Sequence, residues 1–259
     1  MDVDQVLSRF RYELRNLVRD GETVEARPDV TRRSWAAGEL NEVTAHDLDS
    51  SDADAAIQAQ IDYFKSLGKG FEWKVFSFDR PADLVERLRS AGFTVGDREA
   101  LVVYDVADGL TSFEGPPRCE VRRVVTAEQL ADFRQVAEAV FQKDYSLTTN
   151  ELAEALATGR TGHDAYVAYV EGVPVAIGRL YTDPDSAFAG FYGGGTLPQF
   201  RGRGCYRAIT AARACDAAAA GARYLQVDAL PTSLPILLRL GFVRIADTWP
   251  CGWSFENCL

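Results

Sequence analysis

The run Gly193-Gly194-Gly195-Thr196-Leu197-Pro198-Gln199-Phe200-Arg201-Gly202-Arg203-Gly204-Cys205-Tyr206-Arg207 constrains this chain more than any other stretch of it. An apolar, β-prone segment, 187–197, leads into the run. A helical pattern leads out of it, with Cys205, Ile209, Ala212, Cys215 and Ala219 on one face and Gly221 as its stop. A strand that becomes a helix within a few residues gathers backbone N–H groups that have no intrahelical partner, and the positive end of the helix dipole adds to them. Gly202 and Gly204 let the backbone approach a bound anion. Arg201, Arg203 and Arg207 add positive charge in a chain whose net charge is -10. The run reads as a phosphate site, with an unliganded surface turn as the alternative on local pattern alone.

Other phosphate loops do not fit. No Gly-Lys-Ser or Gly-Lys-Thr occurs, which removes the Walker pattern. A dinucleotide fingerprint belongs after the first strand of its domain and needs a third glycine, whereas this loop follows several strands and lacks one.

The surrounding pattern supplies the frame. Helical spacing runs from Val3 to Val18 and from Asp52 to Leu67, and a shorter helix opens at Pro81. Strand-like stretches lie at 23–26, 38–44, 71–78 and 99–106. Residues 107–118, ADGLTSFEGPPR, have turn composition and read as a linker. The pattern then restarts with a strand at 119–124, helices at 127–143 and 150–157, and strands at 165–170, 173–181 and 187–197. Glu171-Gly172 suits a tight hairpin turn between the first two of those three. The long helix, a strand at 223–229, a short helix at 233–240 and a strand from Phe242 complete the chain. A helix, a strand, a short helix and Gly-Phe recur in both halves, at Gly92-Phe93 and Gly241-Phe242, and suggest an internal duplication.

At this junction the sequence resembles the GNAT superfamily of N-acetyltransferases. Its signature, R/Q-x-x-G-x-G/A, is met by Arg201, Gly202, Arg203 and Gly204; Pro198 precedes it by the usual three residues, and Leu240-Gly241-Phe242 matches the common C-terminal LGF. The resemblance is specific over 193–242 and looser over 118–259. It implies an α/β fold of two GNAT-like domains, each a mixed, mostly antiparallel sheet flanked by helices. Residues 1–110 would form a degenerate domain lacking the coenzyme loop, and 118–259 the acetyltransferase domain.

The implied cosubstrate is acetyl-coenzyme A. Its pyrophosphate would lie on Arg201, Gly202, Arg203, Gly204, Cys205 and Tyr206, and its pantetheine on the backbone of Thr196 and Leu197. The implied reaction moves an acetyl group to the amine of a small molecule. A longer acyl group, an amino-sugar acceptor, or coenzyme binding without catalysis are the alternatives. Tyr206 stands where the signature ends in Gly or Ala. Leu237 stands where many members carry a tyrosine that protonates the leaving thiolate.

The chemistry asks for little else. An amine of pKa about 10.4 is only about 0.04% neutral at pH 7, worth roughly 4 to 5 kcal/mol, so a base helps. Candidates are Asp228, at the end of the strand after the long helix, and Tyr192, on the strand before the loop; each also suits a structural role. His163 reads as an exposed turn residue. Cys205 reads as packing, and Trp249, Cys251, Trp253 and Cys258 as core or as an acceptor wall. In the first half the position corresponding to the loop, 45–54, holds four aspartates, which would repel a pyrophosphate.

Composition excludes further classes. At pI near 4.8 the chain has no basic surface for nucleic acid or anionic lipid, while its acidity suits a cationic amine. Five cysteines without a CxxC pair, and two histidines, indicate neither a metal site nor a complete disulfide set. With no run of roughly 20 apolar residues, a membrane span is not expected and a cytoplasmic protein is. A homodimer stays open.

Overall fold

A computed structural model describes residues 1–18, 21–35, 41–45, 48–115 and 119–254; His46, Cys258 and residues 116–118 of the expected linker lie outside the described residues. In chain order the elements are α1 (Val3–Asn16), β1 (Glu22–Ala26), β2 (Val30–Trp35), β3 (Asn41–Ala45), α2 (Ala53–Ser66), β4 (Phe71–Phe76), α3 (Leu84–Ser90), β5 (Thr94–Val95) and β6 (Glu99–Asp105). There follow β7 (Glu120–Arg123), α4 (Ala127–Phe141), α5 (Ser146–Thr158), β8 (His163–Val170), β9 (Val173–Tyr181), β10 (Phe188–Thr196), α6 (Cys205–Ala219), β11 (Tyr224–Ala229), α7 (Leu234–Arg239) and β12 (Val243–Trp253). They form two compact units. The first comprises residues from Met1 to Leu101, Ala229–Leu234 and the described residues from Arg244 onward; the second comprises those of Val102–Asp228 and Pro235–Val243.

In the first unit β1, β2 and β3 pair antiparallel in that order, β3 runs parallel to β4, and β12 pairs antiparallel with β4 along Thr248–Trp253. The last strand thus packs with the first half of the sequence rather than with the second. Cys251 and Trp253 lie in this unit's core beside Trp73, Phe64 and Phe71, and burial pushes the Cys251 thiol up to about 12. The strand β2 has no counterpart among the expected elements, because Arg32 and Arg33, one on each face and both buried, break its apolar pattern. Arg33 bonds Glu22 at 2.9 Å with both side chains enclosed, and also donates to the Leu17 carbonyl near the end of α1; Arg32 donates to Gln60.

In the second unit the strand order is β11-β10-β9-β8-β7. Only β10 and β11 are parallel; the other neighbours are antiparallel. The β8–β9 turn is the expected one, with Glu171 at φ 51 and Gly172 at φ 79. The helix α4 is closed by a full capping box, Thr126 with Gln129. It buries Phe133, Val136 and Ala137 against Val167 and Ile177 of the sheet. At about 25 cal/mol per Å2 of apolar surface, each large side chain in such a cluster contributes roughly 1.5 to 3 kcal/mol. Within residues 107–115, read as a linker, Phe113 is buried, its ring 5.0 Å from that of Tyr104. One expectation changes here. His163 opens β8 instead of lying in a turn, half-buried with its ring edge-on to Tyr181 at 4.9 Å.

Candidate functional site

The site is built where β10 leaves β11. The two strands pair only at Phe188, Ala189 and Gly190, with Tyr224, Leu225 and Gln226 as partners. Against β9, β10 shifts register between Tyr192 and Gly195, taking in one extra residue, and Gly193 there has φ 56. A bulge of this kind bends a strand and increases its twist, and so opens a gap on the β11 side. The three consecutive glycines serve this geometry. A Cβ on Gly195 would stand 2.6 Å from Val140 of α4, and one on Gly194 would stand 3.0 Å from the Tyr206 ring, so β10 is gripped closely from both faces.

Backbone pairing decides which groups face the gap. The Leu197 N–H donates to the Val175 carbonyl at 2.9 Å, and the Leu197 carbonyl accepts from Phe200 at 2.9 Å. Leu197 therefore has no N–H to offer a ligand, which corrects its expected role. By the alternation of an antiparallel ladder, the Thr196 N–H and carbonyl point the other way, into the gap. The carbonyl there accepts from Arg201 Nε at 3.2 Å, and Thr196 Oγ1 is buried with no hydrogen-bond partner among the described residues.

Beyond Thr196 the chain makes one short turn, Pro198–Phe200, and enters α6. Gly202 has φ 74 with open space around its Cα, and Gly204, the N-cap, has φ 84 and brings no capping side chain. The first bond of the helix runs from Ala208 to the Gly204 carbonyl, so the N–H groups of Cys205, Tyr206 and Arg207 accept no help from the helix. Arg201, Gly202 and Arg203 are exposed beside them, with the Arg203 guanidinium 5.1 Å from the Phe200 ring centre. Cys205 is 1% exposed, so its side chain packs inward and only its backbone belongs to the loop. Tyr206 also turns inward, against Gly194, and adds no bulk above the loop. Arg207 is committed elsewhere: its Nη2 donates to the carbonyls of Ser112 at 3.2 Å and Glu114 at 2.6 Å and ties down the packed segment. A cluster of N–H donors without a helical partner, beside two exposed arginines, suits a pyrophosphate, and the orphaned Thr196 hydroxyl suits an amide-bearing chain laid along β10.

The corresponding turn in the first unit is closed off. Asp49 accepts from the N–H groups of Ser51 and Asp52, at 2.7 and 3.1 Å, and its carbonyl takes the Ala53 N–H at 3.1 Å. The Ser51 bonds hold the Asp49 carboxyl below its usual range. Here the N–H groups of Ser51, Asp52 and Ala53 are taken by Asp49.

Tyr192 and Asp228 each lie two residues past the last β10–β11 pair, Gly190 with Gln226, on the two strands that border the gap. The Tyr192 ring folds back over Gly190 and is 36% exposed; Asp228 is half-buried. Leu237 is fully buried in α7. One residue that sequence reasoning missed stands beside Tyr192: Arg179 of β9, its cross-strand partner. On the other face of the sheet Arg213 is enclosed, donating to the Arg179 carbonyl at 3.1 Å over the Phe191 ring, and burial draws it down to about 10.

No protein-family model matches the sequence, and no curated protein matches it. Solved structures do. One is a GCN5-related N-acetyltransferase from Kribbella flavida, with TM-score 0.69 and 18% identity, covering 96% of this chain and 95% of that one. Another is a conserved protein of unknown function from Staphylococcus epidermidis, with TM-score 0.67 and 17% identity, covering 92% and 96%. The third is a tandem GNAT protein from the clavulanic acid biosynthesis pathway, with TM-score 0.55 and 13% identity, covering 97% and 87%. The fold is that of the GCN5-related N-acetyltransferases. More particularly, the whole chain is similar to the tandem arrangement of that fold.

Proposed function

We propose that the chain is an acetyl-coenzyme A dependent N-acetyltransferase acting on a small-molecule amine, with its coenzyme site in the second unit alone. One observation carries the reading: β10 parts from β11 after Gly190 and leads, through Thr196, to a helix start whose N–H groups lack a helical partner, beside two exposed arginines. In this reading the N–H groups of Cys205, Tyr206 and Arg207, with Arg201 and Arg203, hold the pyrophosphate. The Thr196 N–H and hydroxyl orient the pantetheine. Acetyl-coenzyme A supplies the thioester carbonyl, and a donor fixed at the gap stabilises charge on its oxygen.

The acceptor enters between Tyr192 and Asp228. Asp228 takes a proton from the ammonium group, which frees the lone pair with which the amine attacks, and Tyr192 borders the pocket. With Leu237 enclosed in packing, the leaving thiolate departs without a tyrosine acid at that place. Its pKa near about 8.5 makes this inexpensive, and holding the reactants together supplies several kcal/mol. The first unit, whose corresponding turn is acidic, does not bind coenzyme. The protein acts in the cytoplasm. Among the described residues no helix is long and apolar enough to cross a membrane.

Release of coenzyme thiol from acetyl-coenzyme A in the presence of a panel of primary amines tests the reading. Turnover with at least one amine is expected, and it falls on changing Asp228 to Asn. Coenzyme binding with no turnover on any amine would instead favour a binding module.

A further inference from the structure

Arg179 lies on β9 in the middle of the second unit's sheet, paired across strands with Tyr192 on one side and Ala165 on the other. It is half-buried, and its Nε is enclosed without a hydrogen-bond partner. Among the described residues no carboxylate pairs with its guanidinium. The more deeply buried Arg33 and Arg32, by contrast, pair with Glu22 and Glu25. A guanidinium partly removed from water with no counterion is costly, and its planar fork of donors matches a carboxylate in two-point contact.

The neighbours indicate where that anion would sit. A Cβ built on Gly193 would stand 3.4 Å from Arg179 Nε and 3.9 Å from the hydroxyl of Tyr145. A Cβ there would make ordinary contact with both groups, so Gly193 brings the strand close beside a cation and a phenol. Tyr145 is itself buried, its pKa raised by burial and drawn back by Arg179. Arg179 does not belong to the pyrophosphate loop. Tyr192, the partner of Arg179, is four residues back from Thr196, about 13 Å along an extended strand, and the helix start lies further still. Arg179 stands instead beside the mouth where an acceptor would approach.

We infer that the acceptor is an amine that also carries a carboxylate, and that Arg179, with the Tyr145 hydroxyl, binds that carboxylate and so selects the substrate. This rests on the acetyltransferase reading for the identity of the reacting amine, but not for the anion site itself. The test uses the full chain and a panel of α-amino acids, each beside its own carboxamide, with kcat/KM measured by thiol release. In parallel, calorimetry measures binding of the corresponding N-acetyl amino acids and of acetyl-coenzyme A. The acids are expected to exceed their amides by at least about tenfold in kcat/KM, as loss of one charge-assisted contact of about 1.5 kcal/mol implies. Arg179→Gln should abolish that preference through KM, weaken the N-acetyl amino acids and leave acetyl-coenzyme A affinity unchanged. Tyr145→Phe should weaken the same ligands by a smaller factor, and it serves where the arginine variant fails to fold. Equal rates on acids and amides, equal losses on both in Arg179→Gln, or coenzyme binding with no response to any carboxylate would overturn the inference. Failure of acetyl-coenzyme A to bind would defeat the acetyltransferase reading, and the N-acetyl amino acid titration would still decide the role of Arg179.

Discussion

Gly202→Ala and Gly195→Ala separate what the glycine-rich run does for a ligand from what it does for the fold. At Gly202 a Cβ meets nothing within 4 Å, so its only structural cost is holding φ 74 with a side chain, roughly 1 to 2 kcal/mol. In a chain of 259 residues that lowers Tm by about 2 to 4 °C per kcal/mol. The same methyl projects into the open space above the helix start, where phosphate oxygens would lie. Displacing one charge-assisted hydrogen bond there costs about 1.5 to 3 kcal/mol, or roughly 10- to 150-fold in affinity. At Gly195 the methyl would stand 2.6 Å from Val140 Cγ1 and 3.3 Å from the Phe141 ring. Overpacking there costs about 1 to 3 kcal/mol of stability. Thermal unfolding together with acetyl-coenzyme A titration of both variants gives the contrast: Gly202→Ala loses affinity out of proportion to stability, and Gly195→Ala loses stability. A Gly202→Ala protein that binds acetyl-coenzyme A as tightly as the parent would refute the assignment of the loop.

Arg207→Ala should release Ser112 and Glu114, lowering stability by about 1 kcal/mol, while coenzyme affinity stays within about threefold of the parent by calorimetry. Leu237→Tyr should destabilise by about 1 to 3 kcal/mol without raising turnover, because the position is fully buried; a faster enzyme would show that it faces the reacting groups. In the first unit, burial raises the Asp79 carboxyl from 3.8 to about 7, so the folded state binds the extra proton between those values. Stability contributed by the neutral form is then present below about pH 4 and lost as pH rises to about 7. Asp79→Asn should flatten that slope in chemical denaturation, and an unchanged slope would assign it to another group.

The second unit was largely legible because its signals are local. The Glu171-Gly172 hairpin and the Leu240-Gly241-Phe242 end each follow from neighbouring residues, and the strand-to-helix junction follows from the glycine and arginine run. What escaped depends on partners distant in sequence. The strand β2 was hidden since two of its buried residues, Arg32 and Arg33, look solvent-directed until Gln60 and Glu22 are seen to meet them. The placement of β12 with β4 is a long-range pairing that no local pattern encodes. Within the site, Arg201, Gly202, Arg203 and Gly204 came from a motif. Leu197 was misassigned because the direction of an N–H depends on ladder alternation against Val175. Arg207 reads as a phosphate ligand in sequence, but its side chain bonds Ser112 and Glu114, 93 and more residues away. Arg179 gives no signal in a strand of ordinary composition; it becomes noticeable only when its counterion is sought in space and not found.

The central claim is one coenzyme site, in the second unit, held by the loop before α6. Calorimetric titration of the full chain with acetyl-coenzyme A, beside the Arg201→Ala/Arg203→Ala double variant, tests it most directly. One equivalent bound per chain is predicted, with affinity reduced at least about tenfold in the double variant. Two equivalents, or an affinity that the double variant leaves unchanged, would contradict the account.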